Sequence, residues 1–127
     1  MYFLGRDVAK NAMKLKNGIK KAANQGNAKA QNELGNLYYT GLNVTRNYSE
    51  AIKWYQKAAE QGIASAQYKL GYMYDYGQGI SQNRVEAAKW YKKAAEQGNV
   101  DAQYRLGNMF FYKVGNSRRY RRSYKVV

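Results

Sequence analysis

The sequence predicts an all-α fold of stacked helical repeats, a solenoid of tandem helix-turn-helix units with a period of 36 residues. Three observations carry that expectation. Glu50 to Gly62 reads EAIKWYQKAAEQG and returns at Glu86 to Gly98 as EAAKWYKKAAEQG, altered only at Ala88 and Lys92. A near-copy at a fixed offset of this size marks a repeat architecture, in which each unit buries its apolar face against the next. Ahead of each copy, Ala30, Leu34 and Tyr38 recur as Ala66, Leu70 and Tyr74, then as Ala102, Leu106 and Phe110. The spacing i, i+4, i+8 is one face of a helix. Finally, the chain contains no proline, so nothing interrupts long helical segments.

Within a repeat, the first helix carries the Ala–Leu–Tyr/Phe row on its core side. Gly35, Gly71 and Gly107 follow the leucines. A mid-helix glycine costs about 1 kcal/mol relative to alanine, and its recurrence predicts that another helix crosses closely there. Gly41 and Gly77 are expected to end this helix. The loops 41–46 and 77–82 come next, with Val44 and Ile80 expected in the core. Asn47 and Asn83 each precede a glutamate by three residues (Glu50, Glu86), a capping-box arrangement for the second helix. That helix is read with Ala51, Trp54, Ala58 and Ala88, Trp90, Ala94 inward and Tyr55 and Tyr91 alongside. Gly62 and Gly98 close it. Trp54 and Trp90 occupy identical repeat positions amid alanines and are read as inter-repeat packing.

The 36-residue frame extends both ways. It places Gly5 on Gly41, Asn11 on Asn47 and Gln25-Gly26 on Gln61-Gly62, so the chain is expected to open in the last turn of a first helix. The resulting repeat domain covers 1–115: a partial repeat 1–27, full repeats 28–63 and 64–99, and a partial repeat 100–115. A basic tail, 116–127, follows. Two complete repeats are few for a solenoid, which suggests a piece of a longer array with frayed ends and with Leu106, Met109 and Phe110 partly exposed.

Composition narrows the chemistry. Cysteine and histidine are both absent, which removes thiol nucleophiles, disulfides, thiolate metal sites and the commonest general base. Of the eight acids, Glu50, Glu60, Glu86 and Glu96 belong to helix ends. No carboxylate pair has acid–base spacing and no glycine-rich phosphate loop occurs, so neither catalysis nor a cofactor is expected. There is no apolar run long enough to span a membrane and no visible signal peptide; a cytoplasmic place is the default, with effector-type export left open. The net charge of +14 is uneven: +5 in residues 1–27, +3 in 28–112 and +6 in 113–127. The amphipathic segment Val8 to Ala22, with five lysines, suits an anionic membrane surface, but the repeat frame favours the second helix of a degenerate first repeat.

The joint pattern A-x3-LG-x2-Y, then glycine, then a capped EA-x-KWY-x-KAAEQG resembles the Sel-1-like repeat, a relative of the tetratricopeptide repeat. The resemblance implies an αα-superhelix that serves as an adaptor or scaffold binding a partner protein or peptide in its concave groove. Bacterial members of that family are often secreted or envelope-associated. One branch carries paired cysteines in each repeat and a reported penicillin-binding activity; this chain has no cysteine, so that branch is excluded.

On this reading the groove is lined by the row opposite the core row, Tyr68-Tyr72-Tyr76, continued by Tyr104-Asn108-Tyr112. Residues two apart differ by about 200° around a helix axis, so this row points away from Ala66-Leu70-Tyr74. Aromatics with a polar tip are favoured interface anchors. Tyr39, Asp75 and Phe111 stand at a second groove-facing position. The alternative is a basic module docking weakly on nucleic acid or another polyanion through Arg118, Arg119, Arg121, Arg122 and Lys125, where arginines alternate with tyrosines. The assembly expected is a monomer or a section of a longer repeat array.

Overall fold

The computed structural model describes the backbone of residues 2–111 and the side chains of 8–111; the tail 116–127 and Tyr112 lie outside the described residues. Among them there are helices and no strand. The order is α1 (Tyr2–Asn24), α2 (Ala28–Thr40), α3 (Tyr48–Glu60), α4 (Ala64–Tyr76) and α5 (Arg84–Glu96), then α6, which begins at 100 and is described through 111. Each of α1 to α4 packs on the next in sequence, the one-dimensional stacking of a solenoid.

Local chemistry sets the boundaries. Asn47 caps α3 by accepting from the Glu50 amide at 3.1 Å, and Asn83 caps α5 from the Glu86 amide at 3.1 Å. Only half of the expected capping box forms. The backbone N–H of Asn47 donates to the Tyr38 carbonyl and that of Asn83 to Tyr74, both at 2.8 Å, while the Glu50 carboxylate turns to Lys53 at 3.3 Å. The cap thus also ties the start of each second helix to the end of the first. Gly41 and Gly77 end α2 and α4 with φ of 77° and 68°, a left-handed conformation that costs glycine little.

The recurring helical glycine has the steric reason its spacing predicts at Gly35 and Gly71 but not at Gly107, where an added Cβ meets nothing within 4 Å among the described residues. A Cβ built on Gly35 would stand 2.7 Å from Cδ1 of Tyr55, and one on Gly71 would stand 2.8 Å from Cδ1 of Tyr91. Tyr55 and Tyr91, read from the sequence as flanking residues, are therefore the centre of the core, with no exposed surface. Ala66, Leu70 and Met73 are equally inaccessible. Trp90 packs into the cluster of Ala51, Tyr55, Ala58 and Ala66, and Trp54 packs against the cluster of Ala23, Ala30 and Leu34, so both tryptophans join neighbouring repeats.

Three expectations are corrected. The inward alanine of α5 is Ala87, fully buried, rather than the half-buried Ala88: Ala87 is the true counterpart of Ala51 in the repeat frame. Val44 and Ile80 are half-buried in their loops rather than part of the core. Phe110 is 69% exposed, in line with the exposure expected at this last first helix, whereas its counterparts Tyr38 and Tyr74 are half-buried between helices. Gly5 and Asn11 do not break the chain, because α1 runs unbroken through both. Ala9 stands where the later loops carry Thr45 and Ser81, and alanine is the stronger helix former. The later loop also leans on a preceding helix, Gly79 lying against Tyr48.

Glutamines join the repeats in a second layer that the sequence did not reveal. Gln97 Nε2 donates to Gly62 O at 2.8 Å and to Gln67 Oε1 at 2.9 Å, and Gln67 Nε2 donates to Ala59 O at 3.1 Å. One repeat earlier, Gln61 donates to Gly26 O and Gln31, and Gln31 to Ala23 O. Gln31 and Gln67 are 5% exposed, so each buried amide is satisfied by a neighbouring unit.

Candidate functional site

The first helices α2, α4 and α6 carry the candidate face. Along α4, Tyr68, Tyr72 and Tyr76 fall one turn apart on one side, with ring centroids separated by 6.2 and 4.6 Å. The row is graded rather than uniformly exposed. Tyr68 and Tyr72 are half-buried against the Ala87–Tyr91–Ala94 cluster, and the Tyr68 ring lies 5.8 Å from Tyr91. Tyr76 is 53% exposed and Tyr104 67%. Asn108 and Phe111 are exposed as well. Tyr112, Arg118, Arg119, Arg121, Arg122 and Lys125 lie outside the described residues.

Two cations thread these rings. Lys69 Nζ sits 4.6 Å from the Tyr39 centroid and 5.9 Å from that of Tyr72. The Arg105 guanidinium sits 5.1 Å from Tyr72 and 5.6 Å from Tyr76, and its Nη1 donates to the Tyr76 hydroxyl at 2.7 Å. At the α2 side Tyr39 stacks at a tilt on Tyr48, 5.2 Å away, and Arg46 lies 5.1 Å over Tyr48. The result is an alternating series, Arg46–Tyr48–Tyr39–Lys69–Tyr72–Arg105–Tyr76, crossing the first helices. Each cation gains from the negative face of a ring, about 0.5–1 kcal/mol at exposed sites. Sequence reasoning found the tyrosines and missed the cations. The available signal was positional: Lys69 and Arg105 occupy the repeat position that Glu33 fills in the first full unit.

Asp75 does not join this surface. It accepts from the buried Tyr91 hydroxyl at 3.1 Å and pairs with Arg84 at 3.8 Å, its side chain only 14% exposed. In the preceding repeat Asn36 takes the Tyr55 hydroxyl, so each core tyrosine finds one acceptor on a first helix.

Burial keeps Tyr39, Tyr55 and Tyr91 in their neutral form. Burial pushes Tyr39 and Tyr55 above the ordinary value of 10.0, and burial followed by the Asp75 charge does the same for Tyr91. Burial by itself would lower the pKa of Arg105, but the hydroxyls of Tyr68 and Tyr76 outweigh it and raise it. The face therefore sets the side chains of Lys69 and Arg105 against aromatic rings. Among the described residues no group of three or more acids could hold a metal ion, and no helix is long and apolar enough to cross a membrane.

Comparison with known proteins follows the same helices. A family model described as Sel1 repeat matches residues 28–63, 64–99 and 100–116. Among solved structures, a Sel1 repeat protein from Oxalobacter formigenes is 42% identical with a TM-score of 0.70, over 84% of this chain and 46% of that one. The protective antigen c5321, present in uropathogenic Escherichia coli strains and displaying an SLR fold, is 39% identical with a TM-score of 0.73, over 75% of this chain and 20% of that one. Helicobacter pylori cysteine rich protein B is 28% identical with a TM-score of 0.71, over 75% of this chain and 71% of that one. The chain thus spans less than half the length of the first two proteins. A search of curated proteins finds no match.

Proposed function

Because the chain belongs to the Sel1 repeat family, whose members are generally protein-interaction modules on a non-catalytic scaffold, we propose that it holds a partner protein or peptide on the first-helix face of α4 and α6. The observation that supports this reading is the exposure of Tyr76, with Arg105 over its ring, and of Tyr104 on the next first helix. Exposed aromatic clusters rimmed by polar groups mark partner sites, and tyrosine and arginine are enriched among residues that dominate binding energy. The half-burial of Tyr68 and Tyr72 adds to the case, since anchors held by packing lose little freedom on binding.

The test is capture of partners by the whole chain and by its Tyr76→Ala/Tyr104→Ala variant, with mass spectrometry on both. Proteins retained by the wild type and lost by the variant, at an unchanged melting temperature, support the face as the site. Identical retention by both proteins places the site elsewhere.

A further inference from the structure

Resting on the reading that the first-helix face is the docking surface, we propose that its partner is an acidic peptide segment, bound in extended form with carboxylates seated on Lys69 and Arg105. Three observations lead there. Both cations share the Tyr72 ring, at 5.9 and 5.1 Å from its centroid, so the two charges lie within about 11 Å of each other. Neither is paired with a carboxylate among the described residues, where the ion pairs are Lys53–Glu50 and Arg84–Asp75. The nearby acids do not neutralise them: Asp75 is committed to Tyr91 and Arg84, and Asp101, exposed one turn before Arg105, makes no ion pair with it.

A cation held over aromatic rings keeps its charge and has already lost much of its side-chain freedom. It is prepared to meet an anion without the entropy cost of ordering a free lysine or arginine. An extended chain rises about 3.3 Å per residue and points alternate side chains the same way. Carboxylates two residues apart are thus separated by about 7 Å, within the span the two cations allow. The intervening side chain then points away from the face, and the peptide backbone crosses the Tyr72 ring that the two cations share. The face also has a direction, because the repeat position that carries Lys69 and Arg105 carries Glu33 in α2. An acidic segment is favoured toward α4 and α6 and disfavoured toward α2.

The test uses ten-residue glycine-serine peptides carrying two glutamates separated by one or two residues, each beside its glutamine counterpart. Binding to the whole chain is read by fluorescence anisotropy. The glutamate peptides should bind on the order of tenfold more tightly, the strength of charge-assisted hydrogen bonds over neutral ones. Lys69→Met and Arg105→Met should each reduce that preference and together abolish it. Arg105→Lys should keep much of it, and Lys89→Met/Lys92→Met, on the exposed side of α5, should leave it intact. If Arg105→Met also lowers the melting temperature, Lys69→Met and Arg105→Lys carry the decision. Equal binding of glutamate and glutamine peptides, both lost with Tyr76→Ala, overturns the acidic preference while leaving the docking surface standing. A preference that survives the double methionine variant overturns it as well, and so does tighter binding of a single-stranded oligonucleotide through the same two residues. Binding by neither peptide series ends the inference, and the partner-capture comparison then decides the docking surface independently.

Discussion

Gly71→Ala and Gly18→Ala make opposite predictions from the same chemical change. Both glycines lie inside helices, where alanine is favoured by about 1 kcal/mol. At Gly18 an added Cβ meets nothing within 4 Å, so the substitution should stabilise by roughly 0.5–1 kcal/mol. At Gly71 the Cβ would lie 2.8 and 3.0 Å from Cδ1 and Cε1 of Tyr91 and 3.1 Å from the Ala87 carbonyl. Relief requires movement, and little is available. Tyr91 has no exposed surface and its hydroxyl is bonded to Asp75, while the Ala87 carbonyl is the backbone of α5. Overpacking of this kind costs about 1–3 kcal/mol, which outweighs the helical gain and leaves a net loss near ~1 kcal/mol. Melts followed by far-ultraviolet circular dichroism should show Gly18→Ala above the wild type and Gly71→Ala below it by about 4 °C or more. If Gly71→Ala melts at or above the wild type, the close crossing of α4 and α5 is not what retains the glycine.

Other expectations follow from the same contacts. Gln97→Ala should cost about 1–2 kcal/mol in urea unfolding, since it removes both donors that bridge to Gly62 and Gln67; a change within experimental error would show that the glutamine layer is incidental. Tyr76→Ala/Tyr104→Ala should change stability by less than about 0.5 kcal/mol, as exposed substitutions do, while weakening partner binding by about 2 kcal/mol if these are anchors. Tyr55 and Tyr91 have folded pKa values above their unfolded value near 10.0. The folded state therefore holds more protons than the unfolded one above that pH, and stability present below pH 10 should be lost as pH rises further. Chemical denaturation across the alkaline range checks the sign; stability that stayed flat or rose there would contradict the burial of these two hydroxyls.

Much of this protein is set by local pattern. The 36-residue period, the Asn47 and Asn83 caps, the αL turns at Gly41 and Gly77 and the close approach at Gly35 and Gly71 are all legible, because each depends on residues within a turn or two and each recurs. The sequence also singled out Tyr68, Tyr72 and Tyr76 as one face, since their spacing is helical. What it left open is how one helix is rotated and seated against another. Whether Ala87 or Ala88 points inward turns on a rotation of about 100°, and only packing against α4 decides it. The same holds for Tyr55 and Tyr91: their rings fill the space over the glycines because α3 and α5 cross α2 and α4 there. The cations escaped notice for this reason too. Lys69 and Arg105 lie on different helices and share one tyrosine ring, a juxtaposition of residues 36 apart that no single helix encodes. In α1 the order of influence reverses. Asn11 and Gly5 carry the repeat's own signals, yet α1 runs through both, with the strong helix former Ala9 where the later loops carry Thr45 and Ser81.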